Sequence, residues 1–161
     1  MSNQDDILLS VEDLSVAFRT DHGSANVVQG VSFNIRRGEI MGLVGESGSG
    51  KSVTALVVMG LLPQAIAKVS SGRVVFDGQD LTRMSERDMR KLRGPRIGMI
   101  FQEPLTALNP VFTVGSQIIS GILAHEPVSK QEAHARAVQL LQRVGIPEPA
   151  RRMDAYPFQL S

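Results

Sequence analysis

The chain has 161 residues, 42% of them hydrophobic, and a formal net charge of +1. That length and apolar content suit a packed domain and exclude a disordered tail. The near-zero charge excludes a whole-chain field that recruits nucleic acid, and the lack of cysteine excludes disulfides and thiolate metal sites.

The first residues, Met1-Ser2-Asn3-Gln4-Asp5-Asp6, carry acids where a signal peptide needs bases. Residues 7–19 and 27–36 alternate as strands do, with Asp21-His22-Gly23-Ser24 as a turn between them. They read as an antiparallel ribbon. It leads into the apolar run Ile40-Met41-Gly42-Leu43-Val44, which predicts a buried strand.

Next comes Gly45-Glu46-Ser47-Gly48-Ser49-Gly50-Lys51-Ser52, which fits G-x-x-x-x-G-K-[ST] at every fixed position. Residues 53–62 predict a helix, ended by Pro63. A strand, a glycine loop and a helix in that order gather backbone N–H groups and a helix N-terminus around one point, which favours a phosphate. Glycines are needed because a Cβ would block the anion or forbid the backbone angles. Lys51 would reach the β- and γ-phosphates, and the Ser52 hydroxyl would ligate Mg²⁺. The bland alternative is a glycine-rich turn with a surface lysine. The strand before it and the helix after it argue against that.

Residues 73–76 predict a short strand closed by the Asp77-Gly78 turn. Residues 85–92 predict a helix with Ser85 as N-cap and Asp88 three residues on. Around it lie Arg83, Arg87, Arg90, Lys91, Arg93 and Arg96, interrupted by Glu86 and Asp88 and free of aromatics. That composition reads as a solvated helix face, not a nucleic-acid site. Residues 96–101 predict a further buried strand. The longest apolar stretch, residues 55–62, is far too short to span a bilayer.

Residues 102–112 form a loop with Pro104 and Pro110, and residues 113–125 read as helical. A second helix starts at Ser129, which with Glu132 makes a capping-box pattern. Its apolar face is Ala133, Ala137, Leu140, Leu141 and Val144, and Gly145 and Pro147 stop it. The change of character near residue 103 divides the chain. Residues 1–102 form a β-rich part with the phosphate loop, and residues 103–161 a helical part.

Further residues narrow the reading. Gly98-Met99-Ile100-Phe101-Gln102-Glu103-Pro104-Leu105-Thr106-Ala107-Leu108-Asn109-Pro110 resembles the Q-loop of ATP-binding subunits of ABC transporters. More narrowly, it resembles the dipeptide/oligopeptide importer branch, whose usual phosphate loop is the one at residues 45–52. Tyr156-Pro157-Phe158-Gln159-Leu160-Ser161 resembles the approach to the family signature, L-S-G-G-Q. The resemblance runs from about Leu8 to the last residue. It implies an α/β P-loop NTPase fold, the ABC-type ATPase core, with an N-terminal antiparallel ribbon and the start of a helical subdomain, truncated.

The resemblance implies ATP and Mg²⁺ as cofactors. It assigns phosphate binding to Gly45, Ser47, Gly48, Ser49, Gly50, Lys51, Ser52 and the Val53 backbone, and Mg²⁺ to Ser52 and Gln102. It makes Lys51 and Gln102 the catalytic candidates. Gln102 would reach Mg²⁺ and the attacking water, though outside its flanks it would read as a surface-loop glutamine. Phe18 takes the place of the aromatic that stacks on adenine; its plain alternative is strand core. Val53 stands where many relatives carry threonine, so a side-chain contact to the α-phosphate is lacking.

The resemblance also implies a longer protein. Relatives complete the signature, then supply a Walker B strand ending in Asp-Glu and a switch histidine, which hydrolysis needs. Val74-Val75-Phe76-Asp77 resembles such a strand, but Gly78 follows, so a hairpin turn is the expectation. His22, His125 and His134 are expected to be solvated. The implied partners are a second ABC ATPase domain in a dimer, integral-membrane permease subunits, and, indirectly, a solute-binding protein, with no nucleic acid. Leu105, Leu108, Phe112 and Val114 are candidates for the permease groove. The implied place is the cytoplasmic face of the inner membrane, as a peripheral protein. The implied function couples ATP binding and hydrolysis to uptake of peptides or similar solutes. The alternative is a truncated, non-hydrolytic nucleotide-binding remnant. A GTPase lacks support, since neither Asp-x-x-Gly nor Asn-Lys-x-Asp occurs. Without later strands, residues 40–44 are expected to expose apolar faces and an unpaired edge.

Overall fold

Two long alternating segments pair as β1 (Ile7–Thr20) and β2 (Gly23–Arg36), antiparallel, with Thr20 opposite Gly23. The computed structural model describes residues 6–21, 23–102 and 107–160. It divides into two units, one ending at Gly98 and one beginning at Met99.

In the first unit, β1 also pairs antiparallel with β3 (Ala67–Phe76), and β3 with the two-residue β4 (Gln79–Asp80), giving the order β2-β1-β3-β4. One irregularity sets which face of β1 is buried. Asp13 has φ 47°, and the register shifts between Val11 and Leu14. That bulge changes the parity of the strand, so Val11, Leu14 and Val16 all enter the core. Gly72 on β3 makes room for it. A Cβ there would stand 2.3 Å from the Asp13 carbonyl oxygen. The Asp13 N–H, displaced from the ladder, donates to Ser32 Oγ at 2.8 Å.

Helix α1 (Lys51–Val58) covers this sheet. Its Val57 joins Val11, Leu14, Val16, Val28, Val74 and Phe76 in one core, with Leu81 and Met89 from the segments after β4. Burying each such side chain contributes about 1.5–3 kcal/mol. Helix α2 (Glu86–Leu92) starts where the sequence predicts, with Ser85 Oγ accepting from the Asp88 N–H at 3.2 Å.

The second unit is helical. Helix α3 (Val114–His125) is capped by Thr113, and α4 (Lys130–Arg143) by Ser129, whose Oγ accepts from the Glu132 N–H at 3.1 Å. Helix α5 (Pro149–Arg152) and a 3-10 turn at Pro157–Gln159 follow. Val114, Ala137, Leu141 and Met153 form the core, flanked by Ile118, Ile122 and Ile146. Gly145, at φ 78°, ends α4 with paired bonds from Gly145 N to Gln142 O and from Ile146 N to Leu141 O.

Several expectations need correction. Residues 40–44 are not a strand. Ile40 is 97% exposed and Val44 91%, because among the described residues no strand lies alongside to pair with them. An apolar run becomes a buried strand only when neighbours accept its backbone and cover both faces. Residues 96–101 differ in the same way. They hold an isolated bridge from Arg93 to Ile97 and otherwise no strand, with Ile100 91% exposed. Helix α1 begins two residues earlier than predicted and ends at Val58, with Met59 as its C-cap, well before Pro63. Leu140 on α4 and Val144 at its C-cap lie outside the buried stripe. Val114 is core, which removes it from the groove candidates. His22, Glu103, Pro104, Leu105 and Ser161 lie outside the described residues.

The ion pairs of the first unit predict its acid response. Arg93 and Arg90 bond to the Glu86 carboxyl and hold it at about 2, below its ordinary 4.5. Arg96 holds Asp77 low, Lys91 holds Asp88 low and Arg73 holds Glu12 low. A carboxyl depressed in the folded state contributes stability above its unfolded value, and loses it as pH falls toward the folded one. Thermal melts between pH 6 and pH 2 should therefore show falling stability on the acid side. In Glu86→Gln that slope should be shallower; an unchanged slope would remove Glu86 from the account.

Candidate phosphate-binding site

The loop at residues 45–52 is built around one helix start. Gly50 is the N-cap of α1, at φ 90°, and no side chain caps the helix. The first N–H groups of a helix have no intrahelical acceptor, so they face outward with the positive end of the helix dipole. No acidic residue lies in the first turn to neutralise it. That arrangement favours an anion.

Close packing fixes the start. Gly50 is buried against β2, and a Cβ on it would stand 2.8 Å from Val28 Cγ2 and 3.0 Å from Val27 O. Thr54, the buried polar residue of this region, donates from Oγ1 to Gly50 O at 3.0 Å, beside the helical bond from its own N–H at 2.9 Å. Sequence reading passed over Thr54; its spacing four residues after the last glycine of the loop is the available signal.

Lys51 bends back over the loop. Its Nζ donates to Gly45 O and Glu46 O, both at 2.7 Å, and to Ser49 Oγ at 3.3 Å. The ammonium thus sits inside the ring of loop residues that precede it. Ser49 N also donates to Glu46 O at 3.2 Å, closing a turn. Gly48 takes φ 81°. Ser47, Ser49 and Ser52 are exposed. Val53 is half-buried and packs on the core of the first unit, so at the loop it can offer only its N–H. Ser52 offers a hard hydroxyl oxygen suited to Mg²⁺, an ion that takes most of its shell from water and phosphate. No cluster of three His, Cys, Asp or Glu side chains suits a metal among the described residues.

Phe18 lies on β1 opposite Ala25 of β2 and Ala67 of β3. It is half-buried, touches the core, and also lines a surface cavity with Arg19, Ser24, Gln64, Ile66 and Lys68. Gln102 is exposed in the second unit, and the four residues after it lie outside the described set. Asp77 occupies a turn at φ 48°, bonded to Arg37 and, at 2.6 Å, to Arg96 Nη2. It is a hairpin residue held by two guanidinium groups. His125 and His134 are exposed.

The basic stretch holds one exception to the solvated reading. Arg83, Arg87, Arg90 and Lys91 are exposed, but the Arg93 side chain is only 18% exposed. Its Nε donates to Met59 O at 2.7 Å and its Nη2 to Gly60 O at 2.8 Å. Sequence alone gave no sign of this, since only the fold brings α2 beside the end of α1.

The fit of Gly50 predicts the effect of one methyl group. Gly50→Ala combines a left-handed φ with overlap on Val28 Cγ2 and a tight approach to Val27 O, which costs about 1–3 kcal/mol locally. Its thermal midpoint should fall clearly, whereas Gly48→Ala, with nothing within 4 Å of the added carbon, should lose less. Equal midpoints for the two variants would contradict the packing described.

Residues 28–161 match the model of the ABC transporter family. The chain is 49% identical over 154 residues to the dipeptide transport ATP-binding protein DppD of Bacillus subtilis, covering 96% of this chain and 46% of that protein. It is 46% identical to the oligopeptide transport ATP-binding protein OppD of the same organism, covering 96% and 43%. It is 47% identical to DppD of Escherichia coli, covering 96% and 47%. The chain thus spans about half the length of the curated relatives it matches. Among solved structures, the dimeric ATP-binding cassette MJ0796 bound to ADP and Pi superposes with a TM-score of 0.80 at 24% identity, over 95% of this chain and 63% of that one. The loop, the ribbon in front of it and the match over residues 28–161 together place this chain in the ABC transporter family.

Proposed function

We propose that this chain supplies the nucleotide-binding loop of an ATP-binding subunit that drives import of peptides or similar solutes. The observation that carries the reading is the uncapped N-terminus of α1, ringed by residues 45–52 and holding the Lys51 ammonium. A triphosphate brings oxygens that can replace the loop carbonyls as acceptors for Lys51. The helix N–H groups then bind the same anion. The names of the relatives, dipeptide and oligopeptide transport ATP-binding proteins, support the solute class.

Within this reading Gly45, Ser47, Gly48, Ser49, Gly50 and the Val53 N–H form the cradle. Lys51 balances phosphate charge, and Ser52 would hold Mg²⁺, which when bound neutralises charge on the phosphate oxygens. Phe18 offers its ring to the base. Gln102 is proposed on its sequence flanks alone, as a further ligand of Mg²⁺ and of the attacking water. Residues 1–102 and 103–161 are proposed as the phosphate-binding part and the part that answers to nucleotide. Hydrolysis, a paired ATPase domain, permease subunits and a peripheral place on the inner face of the membrane are proposed for the whole protein. The dimeric form of the MJ0796 cassette supports the pairing. No helix among the described residues is long and apolar enough to cross a membrane.

The test is Lys51→Ala. Equilibrium titration with MgATP should show at least a tenfold loss of affinity, about 1.4 kcal/mol, with the circular dichroism spectrum unchanged. Retained affinity would remove the loop from the binding site.

A further inference from the structure

The geometry points to Arg93 and Glu86 as a clasp that positions the phosphate loop from the far end of α1. This rests on the nucleotide-binding reading above. Helix α1 ends in a Schellman turn, with Leu61 N donating to Leu56 O at 2.8 Å and Gly60 N to Val57 O at 2.9 Å, and Gly60 at φ 61°. Two carbonyls past those, Met59 O and Gly60 O, receive the Nε and Nη2 hydrogens of Arg93. The other side of the same guanidinium is held by Glu86, through Nη1 to Oε1 at 2.8 Å and Nη2 to Oε2 at 3.0 Å. Arg90 Nε adds a contact to Glu86 Oε1 at 3.2 Å.

A fork of planar donors is needed for this arrangement. It must reach two carbonyls and a carboxylate at once, which a lysine ammonium cannot match. The fit is close, since a Cβ on Gly60 would stand 3.0 Å from Arg93 Nη2. The guanidinium also places positive charge at the C-terminal end of α1, where the dipole favours it.

The consequence for the site follows from length. Helix α1 has eight residues, a rod of about 12 Å. Helices this short are marginal in isolation and take their direction from what holds their ends. Gly50 against Val27 and Val28 holds one end, and the Arg93–Glu86 pair holds the other. Val57, buried in the core, also anchors that end, so releasing the pair loosens the last turn of α1 and with it the direction in which the rod aims the loop. Arg93 is therefore a positioning residue, remote from the anion and acting through α1.

The test uses the full chain, with MgATP affinity and amide hydrogen exchange as two readouts. Arg93→Met should weaken MgATP binding about tenfold and speed exchange at the hydrogen-bonded amides of residues 54–59 of α1, while β1 amides stay protected. Glu86→Gln should shift both readouts the same way by less. The double variant should match Arg93→Met alone, because the two residues form one unit. Wild-type affinity in Arg93→Met, unchanged exchange at residues 54–59, or additive losses in the double variant would each overturn the clasp. If Arg93→Met does not fold, Glu86→Gln decides by the same exchange readout. If the unaltered chain binds no MgATP, the nucleotide reading fails, and exchange at residues 54–59 alone decides the clasp.

Discussion

The contact on which the site depends is the seating of Gly50 on the backbone of β2. A residue with a positive φ, pressed to within 3.0 Å of Val27 O at its missing Cβ, turns the chain from loop to helix. The direction of α1, the outward set of its first N–H groups and the return path of the Lys51 side chain all follow from that turn. The sheet matters to function chiefly because it presents the wall on which this glycine rests. The Asp13 bulge and its glycine counterpart on β3 set which face of β1, the strand beside it, enters the core.

The loop is organised by its own lysine. In the protein alone, the ammonium of Lys51 is satisfied by the carbonyls of Gly45 and Glu46. A cation so placed holds the ring of residues open around itself and costs little to redirect, because the bonds it gives up are to partly exposed carbonyls. A phosphate group offers stronger, charge-assisted acceptors in exchange. The same geometry therefore describes a resting loop and, in the proposed function, a receptor for an anion.

Much of this was legible in the residues. The fixed glycines, Lys51 and Ser52 located the loop, and Ser85 and Ser129 marked helix starts that the fold keeps. The ribbon followed from alternation, and the Asp77-Gly78 turn from its chemistry. Other features depend on what stands beside a segment. Residues 40–44 and 96–101 have the composition of buried strands, yet Ile40, Val44 and Ile100 are almost fully exposed. Periodicity reports the preference of a segment and is silent on whether a neighbour is present to satisfy it. Arg93 was hidden for the complementary reason. Among six basic residues it has no distinguishing local pattern, and only its bonds to the carbonyls at the end of α1 single it out.

The central claim is that main-chain amides at the start of α1 bind the phosphate chain of a nucleotide. Amide proton shifts of the isotope-labelled chain, recorded as MgATP is added, address it most directly. The account predicts large shifts at residues 48–53, with the amides of α4 unmoved. Unshifted amides at residues 48–53 under saturating MgATP, or shifts confined to other segments, would contradict it.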